Sequence, residues 1–256
     1  MAKSLVTLIR DLRLRRGRER RELALVEGVR LVEEALQAHV PLRGAVYSPG
    51  LEATPRGRAL KAALRGTGVP VLAVRAAALD ELADTEHPQG VIAVVQPRRW
   101  TLEELRPGPR GVILVLDGVQ DPGNVGTLWR TAFALGSDGL VALKGTAELT
   151  NPKVLRGSMG AAFRLPAVRC GDEAFLSWAR EAKASLLVAD AGGLPIGRGP
   201  RPGPVALAVG NEGVGVRPVL VRAAAELIAI PMREGAESLN VAVAAGILLW
   251  EVTRDR

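Results

Sequence analysis

The sequence is poor in the residues that build disulfide frameworks and metal clusters. Its 256 residues include one cysteine, Cys170, and two histidines. A single thiol excludes an intramolecular disulfide and a cysteine-based metal cluster, and two scattered histidines do not favour a zinc site. We therefore expect chemistry that does not use a metal ion.

The sequence also lacks long uninterrupted apolar runs. The apolar stretch at residues 5–9 is short and is followed directly by arginine, which is not the pattern of a secretory signal. The stretch at residues 241–250 is far shorter than the roughly 20 residues that a transmembrane helix needs. We expect a soluble, cytoplasmic protein with no membrane partner. Its hydrophobic content of 48% suffices for one large or two modest domains.

Positive charge is concentrated at the amino-terminal end of the chain. The formal net charge is +7, and residues 1–21 hold eight basic residues against two acidic ones. Such a block suits a polyanion, because the guanidinium fork matches the geometry of phosphate oxygens. The alternative is a solvated basic tail. The arginines predicted to contact the polyanion are Arg13, Arg15, Arg16 and Arg18.

Apolar strands and amphipathic helices alternate over residues 22–96. Strands are expected at residues 22–26, 44–47, 69–74 and 91–95, and helices at residues 27–36, 55–64 and 76–83. A further helix is expected before this range, at residues 3–16. This alternation favours a small α/β/α domain at residues 22–96, preceded by the basic segment at residues 1–21. Residues 97–110 hold three prolines and little apolar periodicity, so they are predicted to be a linker.

From residue 111 the alternation restarts and continues to residue 256. Strands are expected at residues 112–116, 140–143, 185–189, 205–209 and 227–230, and helices at residues 124–135, 152–161, 172–182, 218–224 and 238–253. Residues 192–204 are rich in glycine and proline and are predicted to be an exposed loop. Continuous apolar strands are typical of a parallel sheet covered on both faces. The fold class is therefore α/β, with a C-terminal parallel-sheet domain after the smaller α/β/α domain.

Three stretches of the C-terminal domain combine an apolar strand with a polar turn and a helix. They lie at residues 116–132, 207–216 and 230–245. In the third, Pro231 ends the strand because it has no N–H to donate, and Ser238 is predicted to cap the helix. That helix is apolar on every side, so we expect it to be buried. Taken alone, this stretch indicates either a functional site or a capped helix of the core.

The three stretches, in this order and closed by Ser238-Leu239-Asn240, resemble the SpoU (TrmH) family of RNA ribose 2′-O-methyltransferases in the SPOUT superfamily. The resemblance covers residues 110–256 in detail. Residues 27–30 and 87–91 are similar to the RNA substrate-binding domain that precedes the methyltransferase domain in many members. The resemblance implies S-adenosylmethionine as the methyl donor, RNA as the substrate, a homodimer and a deep trefoil knot in the C-terminal domain.

Residues 210–215 are expected to belong to the cofactor site. Their order, G-x-x-G-x-G after a late strand, is not the dinucleotide fingerprint. The glycines instead allow backbone groups to approach a flat ligand closely. Adenine requires backbone hydrogen bonds and an apolar slot, and this mixture is available from Gly210, Ile230, Met232 and Leu239. The resemblance assigns cofactor binding to three of these positions: Gly210, Ile230 and Leu239.

The chemistry requires an acceptor hydroxyl in line with the methyl group and a place for the proton that it loses. The charged candidates near the three stretches are Arg130 and Glu212. Free guanidinium has a pKa above about 12, so Arg130 is expected to bind phosphate and stabilise a developing alkoxide rather than to act as a simple base. Glu212 is expected to orient Arg130. Asn124, Ser238 and Asn240 are expected to hold the loops and the ribose.

A second basic feature lies at residues 151–160 and also matches the family pattern. Lys153 and Arg156 are three residues apart on one helical face. They either contact RNA phosphates or are solvated. Together with the arginines of residues 1–21 they form the predicted RNA-binding set.

The sequence thus predicts an S-adenosylmethionine-dependent RNA 2′-O-ribose methyltransferase of the cytoplasm. Ribosomal RNA is the first expected substrate, because the N-terminal domain resembles a ribosomal RNA binder, and transfer RNA is the second. One alternative is a non-catalytic RNA-binding or ribosome assembly factor that kept the fold. Another is a methyltransferase that acts on a base or a protein. The intact polar set speaks against the first alternative: Asn124, Arg130, Glu212, Ser238 and Asn240.

Overall fold

The chain folds into two compact units. The structure is a computed structural model and describes residues 2–197 and 203–254. Unit 1 comprises Met1–Arg98 and Thr150–Phe163, and unit 2 comprises Arg99–Leu149 and Arg164–Arg256. Residues 150–163, which the sequence analysis places in the C-terminal domain, therefore belong to unit 1.

Unit 1 is built on a mixed sheet of four strands. They are β1 (Ala24–Glu27), β2 (Leu42–Tyr47), β3 (Val71–Ala73) and β4 (Val91–Val95), in the order β1-β4-β2-β3. β4 pairs antiparallel with β1 and β2, and β3 pairs parallel with β2. The helices before residue 98 are α1 (Ala2–Leu12), α2 (Arg15–Arg21), α3 (Val29–Gln37), α4 (Pro55–Gly66) and α5 (Ala76–Leu82).

Helices cover both faces of this sheet, because successive strand residues point to opposite sides. On one face, Leu25 and Val46 pack with side chains of α1 and α5. On the other face, Val26 and Ala45 pack with side chains of α3 and α4. The predicted α/β/α layering is confirmed. Residues 1–21 are not a separate segment, because α1 buries three side chains in this core: Leu5, Ile9 and Leu12.

Unit 2 is built on a parallel sheet of six strands. They are β5 (Val112–Asp117), β6 (Gly139–Ala142), β7 (Ala167–Arg169), β8 (Ser185–Pro195), β9 (Val205–Gly210) and β10 (Glu226–Ala229), in the order β10-β8-β9-β5-β6-β7. All five pairings are parallel. Its helices are α6 (Pro122–Ala134), α8 (Asp172–Glu181), α9 (Pro218–Ala223) and α10 (Val241–Thr253), while α7 (Pro152–Ser158) belongs to unit 1. The predicted fold class is confirmed, and the trefoil knot stays a prediction.

Several predicted boundaries differ from the structure for identifiable reasons. Residues 97–110 are not a free linker, because the indole N–H of Trp178 donates to the carbonyl of buried Leu105 at 3.3 Å. β7 was not predicted, since only its middle residue is buried. β8 extends into the predicted loop at residues 192–204, because it resumes pairing with β10 after a register shift. Residues 198–202 of that loop lie outside the described residues.

The last helix, α10, is buried on one side only. It packs against α6 and β9. Its opposite side exposes Val243 (52%), Ile247 (39%) and Trp250 (55%). The prediction of a wholly buried helix is therefore wrong. In the described ranges, 2–197 and 203–254, no helix has the length and apolar character that crossing a membrane requires.

Candidate active site

Three loops converge at the carboxyl ends of the parallel strands in unit 2. They follow β5, β9 and β10 and are the turns of the three stretches singled out in the sequence. The carboxyl ends of parallel strands all lie at the same end of the sheet, so these loops are brought together there. A pocket of about 550 Å³ opens at this end of the sheet, between the loop at residues 211–215 and the segment at residues 230–241.

The pocket is lined by all four residues predicted to bind the cofactor: Gly210, Ile230, Met232 and Leu239. Apolar side chains of α10 and backbone of the glycine-rich loop complete much of the lining. Gly210 is required there, because a Cβ atom at this position would lie only 2.1 Å from the carbonyl carbon of Gly215. The lining therefore combines a close backbone approach with an apolar slot, which suits a flat heterocycle.

Glu212 links the second loop to the start of α6. Its carboxylate accepts a hydrogen bond from the side-chain amide of Asn124 at 3.0 Å and weaker ones from the backbone N–H groups of Gln120 and Asp121 at 3.3 and 3.4 Å. Desolvation raises the pKa of Glu212, but these hydrogen bonds, with that of Asn124 first, outweigh it and hold the pKa below the usual value. Glu212 is thus a fixed anion at neutral pH.

Asn240 joins the third loop to the same residues. Its side-chain oxygen accepts from the backbone N–H groups of Ala242 and Val243, so Asn240 is the cap of α10. Its amide donates to the side-chain oxygen of Asn124 at 3.2 Å. The predicted cap at Ser238 is wrong, since the helix begins three residues later, and Ser238 lines the pocket instead. Asn240, Asn124 and Glu212 form one hydrogen-bonded chain.

Arg130 does not belong to this chain. It is exposed on α6 and makes no hydrogen bond or ion pair with the residues that the structure describes. It lies six positions after Asn124, which on an α-helix is about 9 Å along the axis and about 120° around it. The predicted pairing of Glu212 with Arg130 is therefore wrong: Glu212 holds Asn124 instead.

The basic residues predicted to contact RNA differ widely in accessibility. Arg18 is only 5% exposed, and its guanidinium donates to the carbonyls of Leu12 and Arg13 at 2.9 and 2.8 Å. It stabilises the carboxyl end of α1 and is not available to a phosphate, so the prediction for Arg18 is wrong. Arg16 is exposed, and Arg15 forms an exposed ion pair with Glu19.

The other residues predicted to contact RNA also differ in accessibility. Arg13 is exposed and donates to the carbonyl of Glu81 at 2.7 Å. Lys153 is exposed on α7. Arg156 is partly buried and pairs with Asp84 at 2.7 Å, so its charge is already matched within unit 1. Exposed arginines and lysines of this set can reach a phosphate more readily than Arg156 can.

Asn211, which was not among the predicted site residues, shapes the glycine-rich loop. Its side-chain oxygen accepts from the backbone N–H groups of Gly213 and Val214, and its amide donates to the carbonyl of Gly118 at 3.0 Å. Asparagine among glycines is a recognised turn-forming signal that pointed to this role. Two carboxylates that also line the pocket, Asp190 and Glu237, were likewise not predicted. Across the described part of the chain, no three histidine, cysteine or acidic side chains are grouped to hold a metal ion.

The profile of the SpoU rRNA Methylase family matches residues 111–250 of this chain. This chain belongs to the SpoU rRNA methylase family. An MRM3-like substrate binding domain matches residues 3–93. The chain is 34% identical over 249 residues to the 23S rRNA (guanosine(2553)-2'-O)-methyltransferase RlmP of Bacillus subtilis (strain 168), covering 95% of this chain and 93% of that protein.

Two solved structures of SpoU-type enzymes match over nearly the whole chain. The AdoMet-bound rRNA methyltransferase from Sinorhizobium meliloti has a TM-score of 0.87 at 30% identity, covering 100% of this chain and 96% of that one. The SpoU methyltransferase AviRb from Streptomyces viridochromogenes, in complex with AdoMet, has a TM-score of 0.87 at 31% identity, covering 97% and 96%. The predictions of a SpoU-family protein and of an RNA 2′-O-methyltransferase are confirmed.

Proposed function

We propose that this chain transfers a methyl group from S-adenosylmethionine to a ribose 2′-hydroxyl of ribosomal RNA. The observation that carries the proposal is the hydrogen-bonded chain Asn240–Asn124–Glu212 beside an apolar pocket with a glycine-rich wall. Two amides and one carboxylate, fixed by their mutual hydrogen bonds, offer donors and acceptors that can hold a hydroxyl group in one orientation.

The pocket has the size and lining that S-adenosylmethionine requires. Its volume of about 550 Å³ lies within the range of small-molecule sites, about 300–1,000 Å³. Gly210, Ile230 and Leu239 would hold the adenosine through backbone groups and apolar contacts, with Met232 beside them. When bound, S-adenosylmethionine supplies a methyl group on a cationic sulfur that an oxygen nucleophile displaces in line.

The polar residues next to the pocket would position the acceptor ribose. Asn124, Ser238 and Asn240 supply amide and hydroxyl groups for the sugar. Glu212 is a weak base because its pKa is lowered, so we assign it the fixing of Asn124 and a constant negative charge rather than proton abstraction. Exposed Arg130 would bind an RNA phosphate and stabilise charge on the reacting oxygen.

Ribosomal RNA is the proposed substrate because the similarity to RlmP spans both units. The relative is named for guanosine 2′-O-methylation of 23S rRNA. Within this proposal, unit 1 binds RNA, with exposed Arg13, Arg15, Arg16 and Lys153 as phosphate contacts, and unit 2 carries the reaction. A cytoplasmic location is part of the same proposal, since the RNA would be encountered there.

A homodimer is also part of the proposal. Val243, Ile247 and Trp250 recur at intervals of four and three residues and so form one exposed apolar stripe along α10. Phe133 on the neighbouring α6 is 43% exposed. An exposed apolar patch of this kind marks an interaction surface, and the family resemblance points to a second copy as its partner.

Sedimentation velocity tests the dimer. The wild-type protein should sediment as a dimer at micromolar concentration, and Trp250→Lys should shift it towards the monomer. Leu14→Lys, at an exposed apolar residue of unit 1, is the matched control and should leave the dimer intact. A monomeric wild-type protein would refute this part of the proposal.

The activity is tested with labelled S-adenosylmethionine and unmodified transcripts of 23S rRNA and transfer RNA. Label in a 2′-O-methylnucleoside of 23S rRNA is expected, and Asn124→Ala should abolish it. Thr127→Ala, exposed on the same helix, should retain it. Label only in transfer RNA would transfer the proposal to that substrate. Tight RNA binding without label would favour a non-catalytic binding factor.

A further inference from the structure

We propose that Asp117 and Arg217 are positioning residues for the reaction, because together they place the loop at residues 211–216, and with it Glu212, against Asn124. This inference rests on the proposed function and deepens it. Asp117 is 0% exposed, and the guanidinium of Arg217 is engaged by the carboxylates of Asp117 and Asp172. They would therefore act on the reaction through Glu212 and not by contact with the substrate.

Asp117 is a fully buried carboxylate whose hydrogen-bond partners come from one arginine. It is the last residue of β5 and is 0% exposed. It accepts hydrogen bonds from the backbone N–H of Arg217 at 2.7 Å and from the Nε of Arg217 at 2.6 Å. Nη2 of Arg217 lies 2.5 Å from Oδ1 of Asp117. A buried charge without such partners is very costly, so the two residues form a tightly held joint.

Both ends of the Glu212 loop meet at this joint. At the first end, Gly210 is paired with Asp117 in the register of the sheet. At the other end, Arg217 is held by the Asp117 carboxylate. Between them the loop closes on itself, because Asn211 and Gly215 exchange two backbone hydrogen bonds of 3.0 Å. A loop closed in this way moves as one piece, so the position of Asp117 determines the position of Glu212.

The position of Glu212 matters because the hydrogen bond that it accepts is short and directional. Its 3.0 Å hydrogen bond from Asn124 joins residues that are 88 positions apart in the sequence. A displacement of about 1 Å is enough to break such a bond. Misplacement by this amount can cost an enzyme about 100-fold in rate even when its cause lies away from the reacting atoms.

Asp172 provides a control within the same network. Its carboxylate accepts from Nη1 and Nη2 of Arg217 at 2.9 and 2.7 Å. It is the first residue of α8 and is not part of β5. Asp172→Asn should therefore remove an ion pair of Arg217 while leaving the bonds between Asp117 and Arg217 in place. Asp117→Asn removes the charge that holds the loop.

Hydrogen exchange measured by mass spectrometry on the full-length protein tests the structural half of the inference without RNA. In Asp117→Asn, peptides that cover residues 207–217 should exchange at least about tenfold faster than in the wild type. In Asp172→Asn the same peptides should exchange at the wild-type rate. Arg217→Lys, which keeps the charge and the backbone bond but loses the planar fork, should lie between them. Arg217→Lys also tests the inference if the Asp117→Asn protein does not fold.

Kinetics at saturating S-adenosylmethionine test the functional half. Asp117→Asn should lower kcat by about 10- to 100-fold, whereas Asp172→Asn should stay within about threefold of the wild type. If Asp117 acts only through Glu212, the double variant Asp117→Asn/Glu212→Gln should be no slower than Glu212→Gln alone. The same comparison is made with Arg217→Lys.

The outcomes separate this inference from the proposed function. A protected loop in Asp117→Asn, or losses of kcat that add in the double variant, would overturn the inference even when methyl transfer to RNA is observed. If the wild type transfers no methyl group to RNA, the proposed function fails, while hydrogen exchange still decides whether Asp117 and Arg217 hold the loop.

Discussion

Replacing Gly210 by alanine should separate the glycine-rich loop from the rest of the site. The added Cβ atom would lie 2.1 Å from the carbonyl carbon of Gly215 and 2.3 Å from the nitrogen of Val216. Ordinary contact begins at 3.4 Å, and both obstacles are backbone atoms, so the loop itself must move. A shift of roughly 1 Å or more follows, at a cost of about 1–3 kcal/mol in stability. It would carry Glu212 away from Asn124, and we expect kcat to fall about 100-fold.

Gly213→Ala is the matched control for this prediction. It is the same chemical change in the same loop, and Gly213 also lines the pocket. The added Cβ atom would lie 3.5 Å from the side-chain oxygen of Asn211, which is ordinary contact. The assay is S-adenosylmethionine binding by calorimetry together with methyl transfer at saturating cofactor. Gly213→Ala should stay within about threefold of the wild type in both. Equal effects of the two substitutions would refute the packing argument.

Three further predictions concern charge and ionisation. Arg18→Ala should lower the free energy of unfolding by about 1–3 kcal/mol, because the carbonyls of Leu12 and Arg13 lose their donor in one buried and one partly buried hydrogen bond. Arg16→Ala should leave stability unchanged but reduce the salt dependence of RNA binding; the reverse pattern would contradict the placement of Arg18. Burial raises the pKa of Cys170 to about 11, with Asp172 adding to the shift, so alkylation at pH 8 should be about 100-fold slower than for a free cysteine until the protein is unfolded. Because the pKa of Glu212 is lowered in the folded state, its ionised carboxylate should stabilise the fold above pH 4.5, and this stabilisation should be lost as the pH falls through the folded-state pKa. Glu212→Gln should lack this loss of stability at low pH. An acid unfolding curve of Glu212→Gln equal to that of the wild type would contradict the prediction.

The buried strands were predictable because their apolar runs are long and continuous. β5 and β9 are six residues each and almost wholly buried, and the prediction located both to within one residue. β7 has three residues, of which only the middle one is buried, so it leaves no periodic signal. Local pattern therefore identifies the long buried strands and does not detect this short, half-exposed one.

The cap of α10 shows how a distant contact decides between local candidates. Ser238 and Asn240 are both good capping residues, and they lie two positions apart. Asn240 is the cap in the structure, and its amide also bonds Asn124, 116 positions earlier in the chain. A capping rule based on neighbouring residues alone takes no account of a partner so distant in the sequence. The same limit explains why Glu212 was paired with the wrong residue of α6.

Charge counting located a basic segment but gave no information on burial. Arg18 lies among exposed arginines in the sequence, yet its guanidinium turns inward to the open carbonyls at the end of α1. Those carbonyls have no N–H partner within a helix because α1 ends at Leu12 and the chain turns into α2. A count of positive residues treats this arginine as it treats Arg16, although only Arg16 is exposed.

The most direct test of the account is the identity of the nucleoside that receives the methyl group. Labelled S-adenosylmethionine and unmodified 23S rRNA are incubated with the protein, and the RNA is digested to nucleosides. We predict a 2′-O-methylated nucleoside that is lost with Arg130→Ala and retained with Arg222→Ala, an exposed arginine of α9. A methylated base, or label that Arg130→Ala leaves unchanged, would contradict the proposed ribose chemistry and the role of Arg130.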